Sequence, residues 1–125
     1  MCPFCERATS DDLLAANVHA VAFADSFPVA EGHTLVIPRR HEPDYFSLSI
    51  SEQVGILEFL NDMKAALSRT LTPDGFNVGL NAGEAAGQTV AHAHIHLIPR
   101  VHGDTADPRG GVRWVLPEHA PYWTT

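Results

Sequence analysis

Lysine is nearly missing from this 125-residue chain: Lys64 stands alone beside seven arginines, against fifteen acidic residues, for a net charge of −7 with histidine neutral. A broad cationic footprint for DNA or RNA is therefore absent, and generic nucleic-acid binding is excluded. A small anionic ligand remains compatible where a local pocket supplies donors against the overall field. Cysteine is scarce as well. Cys2 and Cys5 are the only two, too close in sequence to staple a fold and too few for a secreted disulfide scaffold. No run approaches the roughly 18 apolar residues of a membrane span, and "MCPFCERATSDD" has no charged lead before an apolar stretch. The expectation is a cytoplasmic protein without a membrane partner. Repeats, low-complexity tracts and linkers are also lacking, so residues 1–125 are expected to form one domain.

What the chain does have in quantity is histidine, eight in all. Three fall at alternate positions of "AHAHIHLIPR", residues 91–100. Side chains on a strand alternate between faces, so His92, His94 and His96 are expected on one side, with Ala93, Ile95 and Leu97 packed under a helix on the other. A lone half-buried histidine is ordinarily just hydrogen-bonded in place. Three in register repeat the cost of satisfying ring nitrogens with no packing gain. Two chemistries remain open on these residues alone: a three-histidine zinc centre of a metal hydrolase, or a nucleophilic imidazole supported by its neighbours.

The surrounding text supplies the frame. "VHAVAFA" reads as a strand from about Val18 to Ala24, and His33 to Pro38 as a second after a Pro/Gly-punctuated connection. From Ser49 to about Thr70, Val54, Leu57, Leu60, Met63 and Leu67 recur at helical spacing, and Ser49 with Glu52 matches a capping box. "FNVGLNAG" and the histidine segment read as two further strands joined by the Gly-rich "AGEAAGQTV". Strands flanking one long helix indicate an α+β domain with an antiparallel sheet. In that connection Gly83 and Gly87 allow close backbone approach to a ligand, and Gln88 and Thr89 offer donors for phosphate oxygens. A phosphate cradle just before a reactive histidine favours attack on phosphorus over metal hydrolysis.

"GQTVAHAHIHLIP" resembles the signature of the histidine triad (HIT) family of nucleotide hydrolases and transferases. "FADSFPVAEGHTLVIPRRH" and "FNVGLNAGEAAGQTV" are similar to that family's strand pairs, so the likeness covers nearly the whole chain. The resemblance implies a HIT-like fold, a five-stranded antiparallel sheet with one long helix, whose sheets join across a homodimer. It implies that His94 attacks the α-phosphorus of a small-molecule nucleotide and carries a nucleotidyl adduct that water cleaves. His96 would contact the phosphate and protonate the leaving group, and His33 would orient the triad. His96 stands where a transferase branch has glutamine, which favours hydrolysis. Gln88 in "GQTV" is similar to the diadenosine polyphosphate hydrolases, although branches cleaving nucleoside phosphoramidates share it. Asp25 matches an acid that takes the ribose hydroxyls, its other reading being a capped turn in "ADSFP". Phe4 and Phe23 fall where the family encloses the base, and Asn81 near the phosphate; each also reads as an ordinary core or turn residue.

By itself the C-x-x-C of Cys2 and Cys5 reads as metal-binding, redox-active or inert. A zinc-bearing bacterial branch of the family resembles this chain at Cys2, Cys5, His41 and His92, which implies a structural zinc in a closed four-ligand set, with no metal needed for catalysis. The tail, about 102–125, is expected to wrap near the site, where Arg109, Arg113, Trp114 and Trp123 either meet a distal group or pack as a cover. A nucleotide-binding regulatory protein that has lost turnover is the rival from outside enzymology.

Overall fold

The computed structural model of the chain describes residues 1–124. Five strands, β1 (Ala15–Ala16), β2 (Ala20–Ala24), β3 (Thr34–Pro38), β4 (Gly75–Leu80) and β5 (Ile95–Arg100), form one sheet. Its order is β1-β2-β3-β5-β4, and every neighbouring pair is antiparallel. A short helix α1 (Pro3–Ala8) precedes the sheet, and the long helix α2 (Ile50–Leu71) lies between β3 and β4. The α+β architecture expected from the sequence is present. The last expected tail residue, 125, lies outside the described residues.

α2 begins as its sequence dictates. Ser49 accepts a hydrogen bond from the Glu52 N–H, and the Glu52 carboxylate accepts one from the Ser49 N–H, which closes the capping box. It ends at Thr72, the one non-glycine residue with positive φ (46°) among the described residues, after which Pro73 cannot continue the helix. The buried stripe is centred on Ile56, Phe59 and Met63, with Leu60 and Leu67 at its margin. Val54 and Leu57, expected inward, are 48% and 49% exposed. At 100° per residue they lie roughly 100 to 160° round the axis from Ile56, so they flank the stripe.

The sheet is covered unequally. On one face α2 packs against Ala20, Ala22, Val36, Ala93, Ile95 and Leu97. On the other, α1 covers only the β2–β3 half, where Ala8, Phe4 and Leu13 pack on Val21, Phe23, Leu35 and Ile37. The β5–β4 half of that second face is left open. His96, Ile98 and Arg100 project there by strand alternation, opposite the inward Ile95, Leu97 and Pro99.

Three boundaries differ from the sequence reading. β2 starts at Ala20, because the Asn17 side chain accepts from the His19 and Ala20 N–H groups and turns the chain there. β1 is two alanines with no alternation to reveal it. β5 starts at Ile95, so His92 and His94 lie before the strand. Extending the β3–β5 register sets Pro38 opposite Ala93; Pro38 has no N–H, and the Ala93 N–H bonds instead to Glu42 O at 2.7 Å.

Candidate active site and metal centre

Leaving the ladder at Ala93 sends the three triad histidines to three different sets of partners. His92 is fully buried, and its Nε2 lies 2.9 Å from Pro38 O. A carbonyl only accepts, so Nε2 carries the hydrogen and Nδ1 holds a lone pair. That lone pair faces Cys2 Sγ at 3.5 Å, Cys5 Sγ at 3.5 Å and His41 Nδ1 at 3.3 Å, with Cys5 Sγ 3.3 Å from His41 Nδ1. For a tetrahedral ion with Zn–S of about 2.3 Å and Zn–N of about 2.05 Å, the ligand edges are about 3.6 Å for S to N and about 3.3 Å for N to N. The observed spacings match, and the four ligand atoms form one cluster within 4.8 Å. Residues Cys2, Cys5, His41 and His92 thus fit a zinc ion, and the Pro38 carbonyl fixes the His92 tautomer that zinc requires. Burial first, then the Cys2 side chain, pushes the Cys5 thiol pKa up, and burial pushes His92 down. A divalent cation reverses the first tendency by stabilising thiolate.

His94 lies outside that cluster. Its Nδ1 lies 2.9 Å from His92 O, so Nδ1 is the protonated nitrogen and Nε2 keeps a free lone pair. The ring is 7% exposed, held edge-on by Phe4 at 5.0 Å and by His96 at 5.2 Å. The triad imidazoles therefore do not converge on one point, and the geometry of a three-histidine zinc centre is not formed.

His96 faces His33. The Val29 N–H donates to His33 Nδ1 at 3.1 Å, which assigns the hydrogen of neutral His33 to Nε2. That hydrogen points to His96 Nδ1, 2.9 Å away, so neutral His96 is protonated at Nε2. Asp25 joins them: one carboxylate oxygen accepts from the Phe27 N–H at 2.8 Å, and the other lies 3.4 Å from His33 Nε2 and 4.0 Å from His96 Nδ1. Burial lowers the pKa of both histidines, the neighbouring imidazoles lower His96 further, and the Asp25 charge opposes the shift at each.

The loop before the triad is self-braced. Gly83 (φ 91°) and Gly87 (φ 94°) adopt conformations that disfavour side chains. Gln88 departs from its expected part: its Oε1 accepts from the Gly83 N–H at 2.9 Å, and its Nε2 donates to Pro43 O and Val90 O at 2.8 and 3.0 Å. The N–H groups of Gly87 and Gln88 bond to Glu84 O and Gly83 O. Their donors are spent on the loop, and Thr89, exposed at its end, has no hydrogen-bond partner among the described residues. Asn81 sits beside Gly87. Phe23 is 1% exposed, with the Arg7 guanidinium 4.3 Å above its ring and the Phe4 ring 5.4 Å away. Phe23 offers no open face for stacking, and the half-buried Phe4 is the aromatic ring nearest His94.

Beyond His96 the open sheet face forms the floor of a cavity of about 1260 Å³, walled by Asn77, Asn81, Ile98, Arg100, Val112 and Trp114. The tail supplies the last two. Arg109 instead pairs with Asp107 and lies over Trp123, and Arg113 donates to Ala120 O and His119 O. The sequence reading missed the carbonyls of Pro38 and His92 and the Val29 N–H that set the tautomers. Backbone groups carry no residue signature, so only the fold could reveal them.

The HIT domain pattern matches residues 6–103. An uncharacterised HIT-like protein of Mycoplasma genitalium is 39% identical over 102 residues, 79% of this chain and 72% of its own length. The asymmetrical bis(5'-nucleosyl)-tetraphosphatase of Schizosaccharomyces pombe is 33% identical over 88 residues, 70% of this chain but 48% of that protein. Among solved structures, a zinc-bound histidine triad protein of Mycobacterium smegmatis superposes with a TM-score of 0.77 at 32% identity, covering 85% of this chain and 79% of its own. With its triad segment, its fold and these relatives in agreement, the chain belongs to the HIT domain family.

Proposed function

We propose that the protein is a nucleotide hydrolase that cleaves a phosphoanhydride or phosphoramidate bond at the α-phosphorus through a nucleotidyl-His94 intermediate. The observation that carries this reading is the His94 hydrogen bond to His92 O, which leaves the Nε2 lone pair of a neutral imidazole as the nucleophile. His94 Nε2 bonds to phosphorus as the bond to the leaving atom breaks, and His96 Nε2 supplies that atom's proton. Water then adds to phosphorus, its proton passes to His96, and the bond to His94 breaks. His33 holds His96 in the required orientation. The Thr89 N–H and hydroxyl and the Asn81 amide are assigned to the phosphate oxygens, and Phe4 to the base. The activity named for the Schizosaccharomyces relative supports the substrate class.

Zinc is assigned to Cys2, Cys5, His41 and His92 as a structural ion. When bound it ties the thiolates of α1 to the start of the triad segment, which keeps Phe4 against His94. Reduced thiolates in that role suit a cytoplasmic setting. No helix among the described residues is long and apolar enough to cross a membrane. A homodimer is assigned to the open edge of β4, within which Val78 is 45% exposed, and to Ile50, Val54 and Leu57 on α2.

The test is steady-state hydrolysis of a panel of dinucleoside polyphosphates, nucleoside phosphoramidates and nucleotide sugars. Release of a nucleoside monophosphate from either of the first two classes is expected. AMP binding with no cleavage of any member would replace this reading with that of a regulatory nucleotide-binding protein.

A further inference from the structure

We propose that Cys2 and Cys5 are a redox-modification site: hydrogen peroxide closes them into a disulfide, the zinc ligand set is broken, and Phe4 is freed from His94. The coupling to Phe4 rests on the reading above, which gives that ring to the base; the sulfur chemistry does not.

The chain has no other cysteine, and both are free thiols, so this is the one disulfide it can close within itself. Cys2 caps α1, its Sγ accepting from the Cys5 N–H at 3.4 Å, and the two sulfurs lie within 4.8 Å of each other. One helical turn separates the two Cα atoms by roughly 5–6 Å, inside the span that a disulfide bridges. Access is uneven round the cluster. His92 is fully buried, whereas His41 is exposed and both cysteines are half-buried, so the Cys5–His41 side faces solvent. Sulfurs that hold a metal are kept as thiolates, and the thiolate is the form that attacks an oxidant.

The electron count closes with peroxide alone. Cys5 Sγ bonds to one peroxide oxygen as the O–O bond breaks and hydroxide leaves, which gives a sulfenic acid. Cys2 Sγ then attacks the Cys5 sulfur; the S–S bond forms, the S–O bond breaks and a second hydroxide leaves. Solvent protons turn both hydroxides to water, and the sulfurs have given up two electrons. His41 and His92 alone remain as ligands, half of the closed set that a structural zinc needs.

The consequence is local, because the anchors of α1 divide along its length. Its second turn is held by Arg7, which donates to Ser26 Oγ at 3.1 Å and to Ala24 O at 3.3 Å above the Phe23 ring, and by the buried Ala8. Its first turn is tied through the sulfurs to His41 and His92. Phe4 lies between the two cysteines in sequence, with its ring 5.0 Å from His94 and 6.2 Å from His92. Losing the tie therefore loosens the ring beside His94 and leaves the sheet in place.

Zinc-loaded wild type is treated with a small excess of hydrogen peroxide, and zinc release, intact mass and AMP affinity by calorimetry are followed together. Zinc is expected to leave in step with a mass loss of about 2 Da, the two hydrogens given up in forming a disulfide. AMP should then bind about fivefold more weakly, the worth of one aromatic contact. Dithiothreitol with zinc restores both states; zinc alone does not. Metal removal by a chelator under reducing conditions should weaken AMP binding equally. Phe4→Leu should release zinc in the same way, with an AMP affinity that oxidation no longer changes. Zinc retained by the disulfide form, or never bound by the dithiol form, overturns the proposal. So does zinc loss with oxygen added to a sulfur and no disulfide. Unchanged AMP affinity on oxidation of the wild type overturns the link to the site. If the reduced protein binds no AMP, the nucleotide reading fails instead, while zinc, mass and the His94 ring resonances still decide the switch.

Discussion

The tautomers of His92, His94 and His33 are each decided by a backbone group, and that of His96 by His33. Pro38 O accepts from His92 Nε2–H, His92 O accepts from His94 Nδ1–H, and the Val29 N–H donates to His33 Nδ1, which leaves neutral His33 with its hydrogen on Nε2. In the proposed reading, His92, His94 and His96 are given three tasks: metal ligand, nucleophile and acid. Replacing His94 by Ala removes a bond formed only during reaction. Turnover is expected to fall by about three orders of magnitude or more, with AMP affinity within roughly tenfold of wild type, measured by initial rates and calorimetry. A loss of AMP binding in proportion to turnover would make His94 a binding residue instead. The residues that gather here were legible in the sequence, down to the four Cys and His positions whose ligand atoms the fold brings within 4.8 Å. Gln88 was not: an amide reads equally as a ligand donor or a loop brace, and only the placement of Pro43 and Val90 decides between them.

At the level of elements, α1 is six residues long and leans on the Cys2, Cys5, His41 and His92 cluster. So short a helix is marginal by itself, and it holds one edge-on ring, Phe4, against His94. Cys5→Ser is expected to lower the zinc content to near zero and the melting temperature by on the order of 5–10 °C, with a smaller, indirect loss of activity. Metal analysis and thermal melts check this; full zinc occupancy in the variant would contradict the assigned ligand set. The connection between β2 and β3 is held by Gly32 (φ 84°), where a Cβ would run into the Leu71 side chain and stand 3.1 Å from Pro99 Cγ. Gly32→Ala should cost about 2 kcal/mol in a denaturant titration. α2 was legible to within a residue at each end because its cap and its stop are local. β1 and the true start of β5 were not, because an alanine pair has no pattern and the end of a ladder depends on which partner strand runs out of donors.

Across the whole molecule, buried histidines make stability depend on pH. His33 and His96 titrate below the unfolded value of about 6.5. The unfolded chain therefore takes up protons first, so stability is level above that pH and is lost as pH falls from there through the folded values. Melting temperatures are expected to drop most between about pH 6.5 and 5, whereas a flat profile over that range would show that the rings are not buried as neutral groups. Net charge of −7 adds a second consequence: a polyanionic substrate approaches against the overall field, so kcat/KM for dinucleoside polyphosphates should rise with ionic strength at low salt, where screening weakens the repulsion. The central claim of the catalytic reading is a covalent bond between His94 Nε2 and phosphorus. Rapid-quench intact mass spectrometry during turnover, followed by peptide mapping, tests it most directly. The account predicts a nucleoside monophosphoryl adduct confined to residue 94 that forms and decays at rates consistent with turnover; active turnover with no adduct and inverted configuration at a chiral phosphorus would contradict it.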